Sequence, residues 1–415
     1  MGQPLASRRT CGSDRPTLML SLSMIVRNEA SRLERCLESV AGFVDDMVVV
    51  DTGSMDATVA VAERLGARVH RIEWPGDFAP ARNQALRWTR GDWVLTLDAD
   101  EWLLPEAREP LRQLMEHPDA LLINLLRHEQ GAKQSPYSSV SRLFRRHPAI
   151  HWSRPYHAMV DDSVHALRQR EPHWRILQWQ EPALAHDGYR SDRIAGGDKA
   201  ARLRRAMEAD LRAHPGDPYA SAKLGGLELG EGHLSRAVAL LEEGLAHCPS
   251  DAHAQRYELM LHLAMAHGGT DPTKATALYQ GALALPLDPR LTLAARLNLA
   301  ALMVKTGQLQ AAAELCTEAT RTAPEVALGW YNLGLIHRQQ GDLPSAIAAY
   351  QRAIHLDPDH AEAHQNLAVA RLMAGDIEAA RRGFRHAIAL LMRQGHHEVA
   401  EGLRSRAGAL IKLEP

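Results

Sequence analysis

Neither sign of charge dominates this 415-residue chain: 48 basic residues face 50 acidic ones, a formal net charge of -2. No global field therefore argues for nucleic acid or a membrane surface as partner. Cysteine is scarce, with only Cys11, Cys36, Cys248 and Cys316. These four stand far apart without a Cys-x-x-Cys pair, which disfavours a disulfide framework or a zinc knuckle and suits a reducing cytoplasm. No stretch approaches the ~18 consecutive apolar residues of a spanning helix. The first apolar run, residues 18–26, leads into Arg27-Asn28-Glu29 without a small-residue cleavage site, so it reads as a strand rather than a secretion signal. A glycine-rich phosphate loop with a basic residue near the amino terminus is also lacking, which argues against a nucleotidyltransferase acting on a triphosphate. Residues 1–16, rich in Arg, Ser, Gly and Pro, read as a loose tail.

At this length two or more domains are expected. Up to about residue 190, short β-rich apolar runs alternate with helical periodicity, the pattern of βαβ units and a mostly parallel sheet. Strands are predicted over 18–26, 47–52, 68–72, 93–98 and 120–126. A helix is predicted over 29–41, where Leu33, Cys36, Leu37 and Val40 recur at helical spacing, and another over 56–65, where Asp56 is placed to cap. The segment 137–189 mixes aromatics, His, Arg and Pro without a clear period, and 140–144 and 158–160 are its strand candidates.

Beyond residue 198 the chain turns Ala- and Leu-rich and repeats itself at a spacing of 34. Asn298, Asn332 and Asn366 keep this register, as do Gly307, Gly341 and Gly375, then Ala312, Ala346 and Ala380, then Cys316, Tyr350 and Phe384. This is the tetratricopeptide period of paired helices. Two looser copies precede, over 217–250 and 251–288, and a last helix over 398–413 is expected to cap the open end, giving five repeats plus caps. The expected organisation is the tail, an α/β domain over 17–192, and an all-α solenoid over 198–415.

The most telling segment is 91–102, GDWVLTLDADEW, an apolar run ending in Asp98, Asp100 and Glu101. Trp93, Val94, Leu95 and Leu97 suit a buried strand, so the acids fall where that strand leaves its sheet, the place where open α/β sheets bind ligands. Strand alternation would point Asp98 and Asp100 the same way, two oxygen donors suited to a hard divalent cation that bridges phosphates. Such tripeptides also arise in plain acidic turns; the apolar strand and the residues upstream favour the ligand reading. Upstream, MVVVDTGSMDAT ends another strand in Asp51. This acid either accepts hydrogen bonds from a nucleotide's base or ribose or, with Asp56, caps the turn. Arg82, in the first turn of a helix, either points toward phosphate or ribose or is a surface ion-pair partner.

In their order and spacing, SMIVRNEASRLERCLESV, VVVDTGSMDAT, EWPGDFAPARNQAL and GDWVLTLDADE resemble the family 2 glycosyltransferases, whose nucleotide-sugar-binding domain has the A-type fold. The branch most like this chain carries tetratricopeptide repeats after the catalytic domain and includes bacterial peptide S-glycosyltransferases. The resemblance covers nearly the whole chain. It implies that Val26, Asn28 and Glu29 line the base pocket with Asp51, that Arg82 lies near the nucleotide and Asp98 near the ribose, and that Asp100 binds a divalent metal, Mn or Mg. On the metal the residues themselves agree, because a cation between Asp100 and both phosphates neutralises a diphosphate leaving group.

The same branch has an RLFR motif, then a His-Glu pair, then a His-Tyr-Gly-Tyr segment. Here these positions hold Arg142-Leu143-Phe144-Arg145, His157-Ala158 and His186-Asp187-Gly188-Tyr189. The acid after His157 is missing, and Asp187 stands where the pattern has Tyr. His186 is a further candidate metal ligand through an imidazole nitrogen; a partnered loop histidine is the plainer alternative. An inverting transfer needs a base for the acceptor's proton, and the candidates are His157, Asp161, Asp162 and Glu101. A thiol acceptor needs less help, since its thiolate forms near neutral pH.

Asn298, Asn332 and Asn366 fall at one position of the first helix in successive repeats and would form a ladder along the inner, concave surface. A side-chain amide donates to and accepts from a peptide backbone at once, although Asn at this position is also ordinary structural usage. The combined expectation is a metal-dependent inverting glycosyltransferase of the hexosyl or N-acetylhexosaminyl class. It would move a sugar from a nucleotide-sugar, a UDP-sugar, to a peptide or protein acceptor recruited by the repeats, with no nucleic-acid partner and no membrane segment. Two alternatives stand beside it. Ala158 keeps open a weakly active or inactive domain serving a protein-interaction scaffold; a glycan or lipid-carrier acceptor is disfavoured by the lack of a basic amphipathic helix.

Overall fold

The computed structural model describes residues 18–154, 158–188 and 197–413; the tail and His157 lie outside the described residues. The chain divides into two compact units. One is built from the chain up to Leu126 together with Val140–Ala185, the other from Arg127–Ser139 together with the chain from His186 onward.

In the first unit β1 (Leu20–Val26), β2 (Asp46–Asp51) and β3 (Arg68–Arg71) alternate with α1 (Ala30–Val40) and α2 (Thr58–Arg64), and α3 (Phe78–Trp88) leads to β4 (Trp93–Thr96). β5 (Glu101–Leu103), α4 (Arg108–Met115), β6 (Ala120–Glu129), β7 (Tyr137–Arg145), α5 (Asp161–Arg170) and β8 (Arg175–His186) follow, the tip of the β6–β7 hairpin belonging to the second unit. The strands form one sheet in the order β3-β2-β1-β4-β7-β6-β8-β5. β1 pairs in parallel with β2 and with β4, and β2 with β3, whereas β4 and β7 run antiparallel. The chain thus steps outward from β1 to β3 and returns through α3 to the other side of β1. That reversal puts a topological switch point between β1 and β4, and the crevice at their carboxyl ends is where such sheets receive ligands.

Apolar runs become strands here because both faces of the sheet are covered. Leu20, Leu22, Met24, Leu95 and Leu97 pack with Leu33 and Leu37 of α1. Val94, Leu121, Leu122 and Phe144 pack with Val164 and Leu167 of α5. Entry into β4 depends on Gly91: a β-carbon there would lie 2.6 Å from the Ser21 nitrogen and 2.7 Å from the Met19 carbonyl, so only glycine lets the backbones approach this closely. The observed β4 stops at Thr96, short of the expected 93–98. The 140–144 candidate lies within the longer β7, and 158–160 makes only an isolated bridge between Ser153 and Met159.

In the second unit α6 (Gly197–Ala213) precedes five helix pairs among the described residues. These are α7 (Pro218–Gly230) with α8 (Leu234–His247), α9 (His253–His267) with α10 (Pro272–Leu283), and α11 (Leu293–Lys305) with α12 (Leu309–Thr322). The last two are α13 (Ala327–Gln339) with α14 (Leu343–Leu356) and α15 (Ala361–Met373) with α16 (Ile377–Arg393), after which comes α17 (His397–Leu410). The periodic positions are the core: Ala312, Ala346, Ala380, Cys316, Tyr350 and Phe384 are all buried. Small residues let paired helices close in while the larger side chain fills the space between them. Among the described residues no helix is long and apolar enough to cross a membrane.

Candidate active site

Asp98, Ala99 and Asp100 do not continue β4. They form a turn, closed by the Glu101 amide donating to the Asp98 carbonyl at 3.0 Å, so strand alternation no longer applies and the two carboxylates part. Asp98 Oδ1 accepts from Arg82 at 2.6 Å and its Oδ2 from Arg142 at 2.5 Å. Asp100 Oδ2 instead accepts from Arg32 of α1 at 3.2 Å. Beneath the turn, Glu101 Oε2 accepts the Asp98 amide at 2.8 Å while Oε1 faces Arg142 at 3.2 Å.

Burial alone would raise the Asp98 carboxyl, but the Arg142 and Arg82 guanidinia outweigh it and hold Asp98 far below the usual carboxylate range. Arg142 is correspondingly held above its ordinary value by Asp98 and Glu101 against the opposing effect of burial. Arg82 is an ion-pair partner, yet a buried one. It lies 4.8 Å from the Trp152 ring centre, and Asn83 next to it exchanges hydrogen bonds of 2.9 and 2.8 Å with the Trp152 backbone. Asp77 caps α3 by accepting from the Ala79 amide, which fixes the start of the helix that carries Arg82.

These contacts separate the tasks of the two aspartates. Both oxygens of Asp98 are committed to guanidinia, although 38% of its side-chain surface stays exposed. Asp100 is 24% exposed and has Arg32 among its partners, 3.2 Å from Oδ2. One carboxylate supplemented by substrate phosphate oxygens is a donor set that Mg or Mn accepts, and Asp100, outside the double arginine clamp on Asp98, is of the type that could supply it.

Beyond the carboxyl ends of β1 and β2, two loops are knitted together. The Val26 carbonyl accepts the Thr52 amide at 3.0 Å. The Asn28 amide donates to Ser54 Oγ at 2.9 Å, its Oδ1 accepts from Met55 at 2.8 Å, and the Glu29 amide donates to Thr58 Oγ1 at 2.8 Å. Buried Asp51 accepts from the amides of Gly53 and Ser54 at 3.3 and 3.1 Å, and Gly53 has a φ of 106°, a conformation that suits glycine. Asp51 therefore fixes the turn, and so does Asp56, which accepts from the amides of Thr58 and Ala30. Beside this assembly lies a depression of about 500 Å³ lined by Arg27, Thr52, Gly53, Arg71, Ile72 and Trp74.

Among the candidate bases, Glu101 is corrected. Its side chain is 0% exposed and both oxygens are engaged, so it has no path to an acceptor and instead anchors the Asp98 turn. Asp162 is paired with Arg154 at 2.9 Å and Ser153 Oγ at 2.6 Å; burial raises its pKa, but these partners bring it below the usual range, which makes it a poor proton acceptor. Asp161 accepts from Ser141 Oγ at 2.8 Å and is pushed above its ordinary value by burial. Ser141 and Arg142 are consecutive in β7, so one strand holds both Asp161 and Asp98.

His186 falls in the second unit, where its Nδ1 meets Glu129 Oε2 at 2.5 Å. Burial works against the Glu129 anion, but the hydrogen bond from His186, with Arg127 and Ser138, brings it down to about 2. In the same unit Asn298 Oδ1 accepts from Gln134 at 2.5 Å, and Asn366 Nδ2 donates to the Tyr331 hydroxyl at 3.0 Å. Two members of the expected asparagine ladder thus have partners within the protein, and Asn332 is half-buried.

The sequence reading missed Arg142 and Arg32 as partners of the two aspartates. Arg142 was visible only as the first residue of the Arg-Leu-Phe-Arg motif, with nothing local to show that it reaches Asp98. Its importance comes from the antiparallel register of β4 and β7, which pairs Leu95 with Leu143, the residue after Arg142.

A family model described as glycosyl transferase family 2 matches residues 21–177, and a tetratricopeptide repeat model matches 334–375. A TPR repeat-containing protein of Synechococcus elongatus is 45% identical over 306 residues, 74% of this chain and 76% of that protein. An uncharacterized glycosyltransferase of Rickettsia bellii is 29% identical over 216 residues, 46% of this chain and 73% of its own length. The SPbeta prophage-derived glycosyltransferase SunS of Bacillus subtilis is 24% identical over 210 residues, 50% of this chain and 48% of its own.

Proposed function

Since the chain carries a glycosyl transferase family 2 domain over residues 21–177 with tetratricopeptide repeats following it, we propose that it moves a sugar from a UDP-sugar to a peptide or protein acceptor, with inversion at the anomeric carbon and with Mn or Mg. The observation that carries this reading is the division of partners in the Asp98–Asp100 turn: one carboxylate clamped by Arg82 and Arg142, the other meeting Arg32 of α1, both beside the switch point. In this reading the depression beside Thr52 and Gly53 takes the base, and Val26, Asn28, Glu29 and Asp51 hold the two neighbouring loops in place through their hydrogen bonds. Asp98, kept anionic and oriented by Arg82 and Arg142, offers its exposed face to the ribose.

Asp100 would hold the cation together with the donor's phosphate oxygens. When bound, the cation neutralises charge that builds on the departing diphosphate. Asp161 receives the acceptor's proton: burial raises its pKa above the ordinary aspartate value, which makes it the stronger base of the two neighbouring aspartates. The repeats recruit the acceptor, and the free thiols of Cys36, Cys248 and Cys316 suit work in a reducing cytoplasm. Release of UDP from a panel of UDP-sugars by the purified chain with manganese, hydrolysis included, tests the proposal. Cation-dependent release from at least one donor is expected. A chain that neither binds UDP nor turns over any UDP-sugar contradicts it.

A further inference from the structure

The tip of the β6–β7 hairpin, Arg127–Ser139, belongs to the helical unit. The hairpin closes on itself where the Glu129 amide donates to the Pro136 carbonyl at 2.8 Å, and three side chains project from the closed tip onto two neighbouring helix pairs. Gln134 Nε2 donates to Asn298 Oδ1 of α11 at 2.5 Å. The Tyr137 hydroxyl donates to Glu325, just before α13. Lys133 Nζ lies 3.1 Å from Asp357, just after α14.

The Tyr137 ring supplies the apolar part of the contact. It packs against a cluster containing Leu293 and Leu297 of α11, with Leu328 of α13 beside it, and the Arg290 guanidinium lies 5.8 Å from its ring centre. The repeats therefore hold a segment of this same chain through its side chains. An acid takes a cation, an asparagine amide pairs with another side-chain amide, and an apolar pocket with a carboxylate at its end takes a phenol. Burial of an aromatic body with its hydroxyl satisfied is how such anchors give specificity.

The polar contacts are of an exchangeable kind. Lys133 is 81% exposed, and an ion pair that open to solvent contributes little. The tip is also tethered through its strands, so its presence on the repeats reflects high local concentration as much as affinity. We propose that the tip of the β6–β7 hairpin is a resident occupant of a peptide-binding surface on the repeats. A separate peptide takes its place when it carries a cation, a side-chain amide next to it, and a phenol three residues beyond that amide. The inference concerns the repeat surface alone and does not depend on the transfer of any sugar.

The test uses the full chain and a fluorescein-labelled peptide with the sequence of residues 129–139, followed by anisotropy without any nucleotide-sugar. Removing the resident contacts with Lys133→Ala, Gln134→Ala and Tyr137→Ala together should tighten peptide binding at least tenfold over the native chain. Adding Asp357→Ala and Glu325→Ala to that variant should reverse the gain. Binding no tighter than native, or binding indifferent to the two acidic positions, overturns the proposal. Where the triple variant loses its helical circular dichroism, hydrogen exchange on the native chain decides instead. Excess peptide should speed exchange of the amides in 130–139, and unchanged exchange overturns the proposal.

Discussion

At the scale of single residues, the site rests on paired charges, with Arg82, Arg142 and Glu101 buried beneath a half-exposed Asp98. Asp98, Glu101, Arg82 and Arg142 form a neutral quartet, and Arg142 is the member that touches both carboxylates. Removing one partner of a buried pair costs more than the pair's net worth, because the remaining charge stays desolvated. Arg142→Ala should therefore destabilise the first unit by about 3 kcal/mol and abolish UDP binding. Urea unfolding and titration calorimetry check the two parts. Arg142→Lys should recover only part of the loss, since one Nη2 meets both Asp98 and Glu101 but the shorter, more strongly hydrated lysine ammonium fits that buried place less well. Asp161 gives a pH prediction. A general base works ionised, so activity falls as the pH drops through its pKa, which burial has raised above the ordinary aspartate value. Ser141 donates to Asp161 and favours its charged form, so Ser141→Ala should move the acidic limb of kcat/KM to higher pH. An unmoved limb would remove Asp161 as the base.

At the scale of elements, the ends of β6 and β8 meet through Glu129 and His186. The Glu129 carboxyl is lowered from its ordinary 4.5 to about 2. A depressed carboxyl stabilises the fold above the ordinary value, and that stability is lost as the pH falls from 4.5 toward 2. Glu129→Gln should consequently flatten the fall of the urea midpoint between about pH 5.5 and 3, where the native chain declines steeply. Elements were legible where the pattern was local. The runs around Val48–Val50 and Trp93–Leu97 are buried and apolar, and Leu33, Cys36, Leu37 and Val40 mark the buried face of α1. α5 and β8 escaped notice for a physical reason: α5 buries only Ser163, Val164 and Leu167, and β8 is half-exposed for most of its length with a proline inside it. β7 is extended to Tyr137, whose packing partners lie far along the chain among the repeat helices, and no local period reports such contacts.

At the scale of the whole molecule, the chain joins a family 2 glycosyltransferase domain to tetratricopeptide repeats. The carboxylates of the site could be found from sequence because they are adjacent, but what fixes them is distant. Arg82, Arg142 and Arg32 reach Asp98 and Asp100 across sequence separations of 16, 44 and 68 residues. Only the fold brings them together, which is why the sequence reading placed both aspartates on one side of a strand and the structure sends them to different partners. The central claim is that Asp100, unlike Asp98, is the carboxylate through which the cation and the donor's diphosphate are held. Titration calorimetry of UDP with manganese, on the native chain and on Asp100→Ala, tests it most directly. The native chain should bind UDP in a manganese-dependent way. Asp100→Ala should lose that binding while keeping the native thermal melt, because Asp100 lies outside the quartet of Asp98, Glu101, Arg82 and Arg142. Manganese-dependent binding that survives in Asp100→Ala, or a native chain that binds UDP equally well without the metal, would contradict the account.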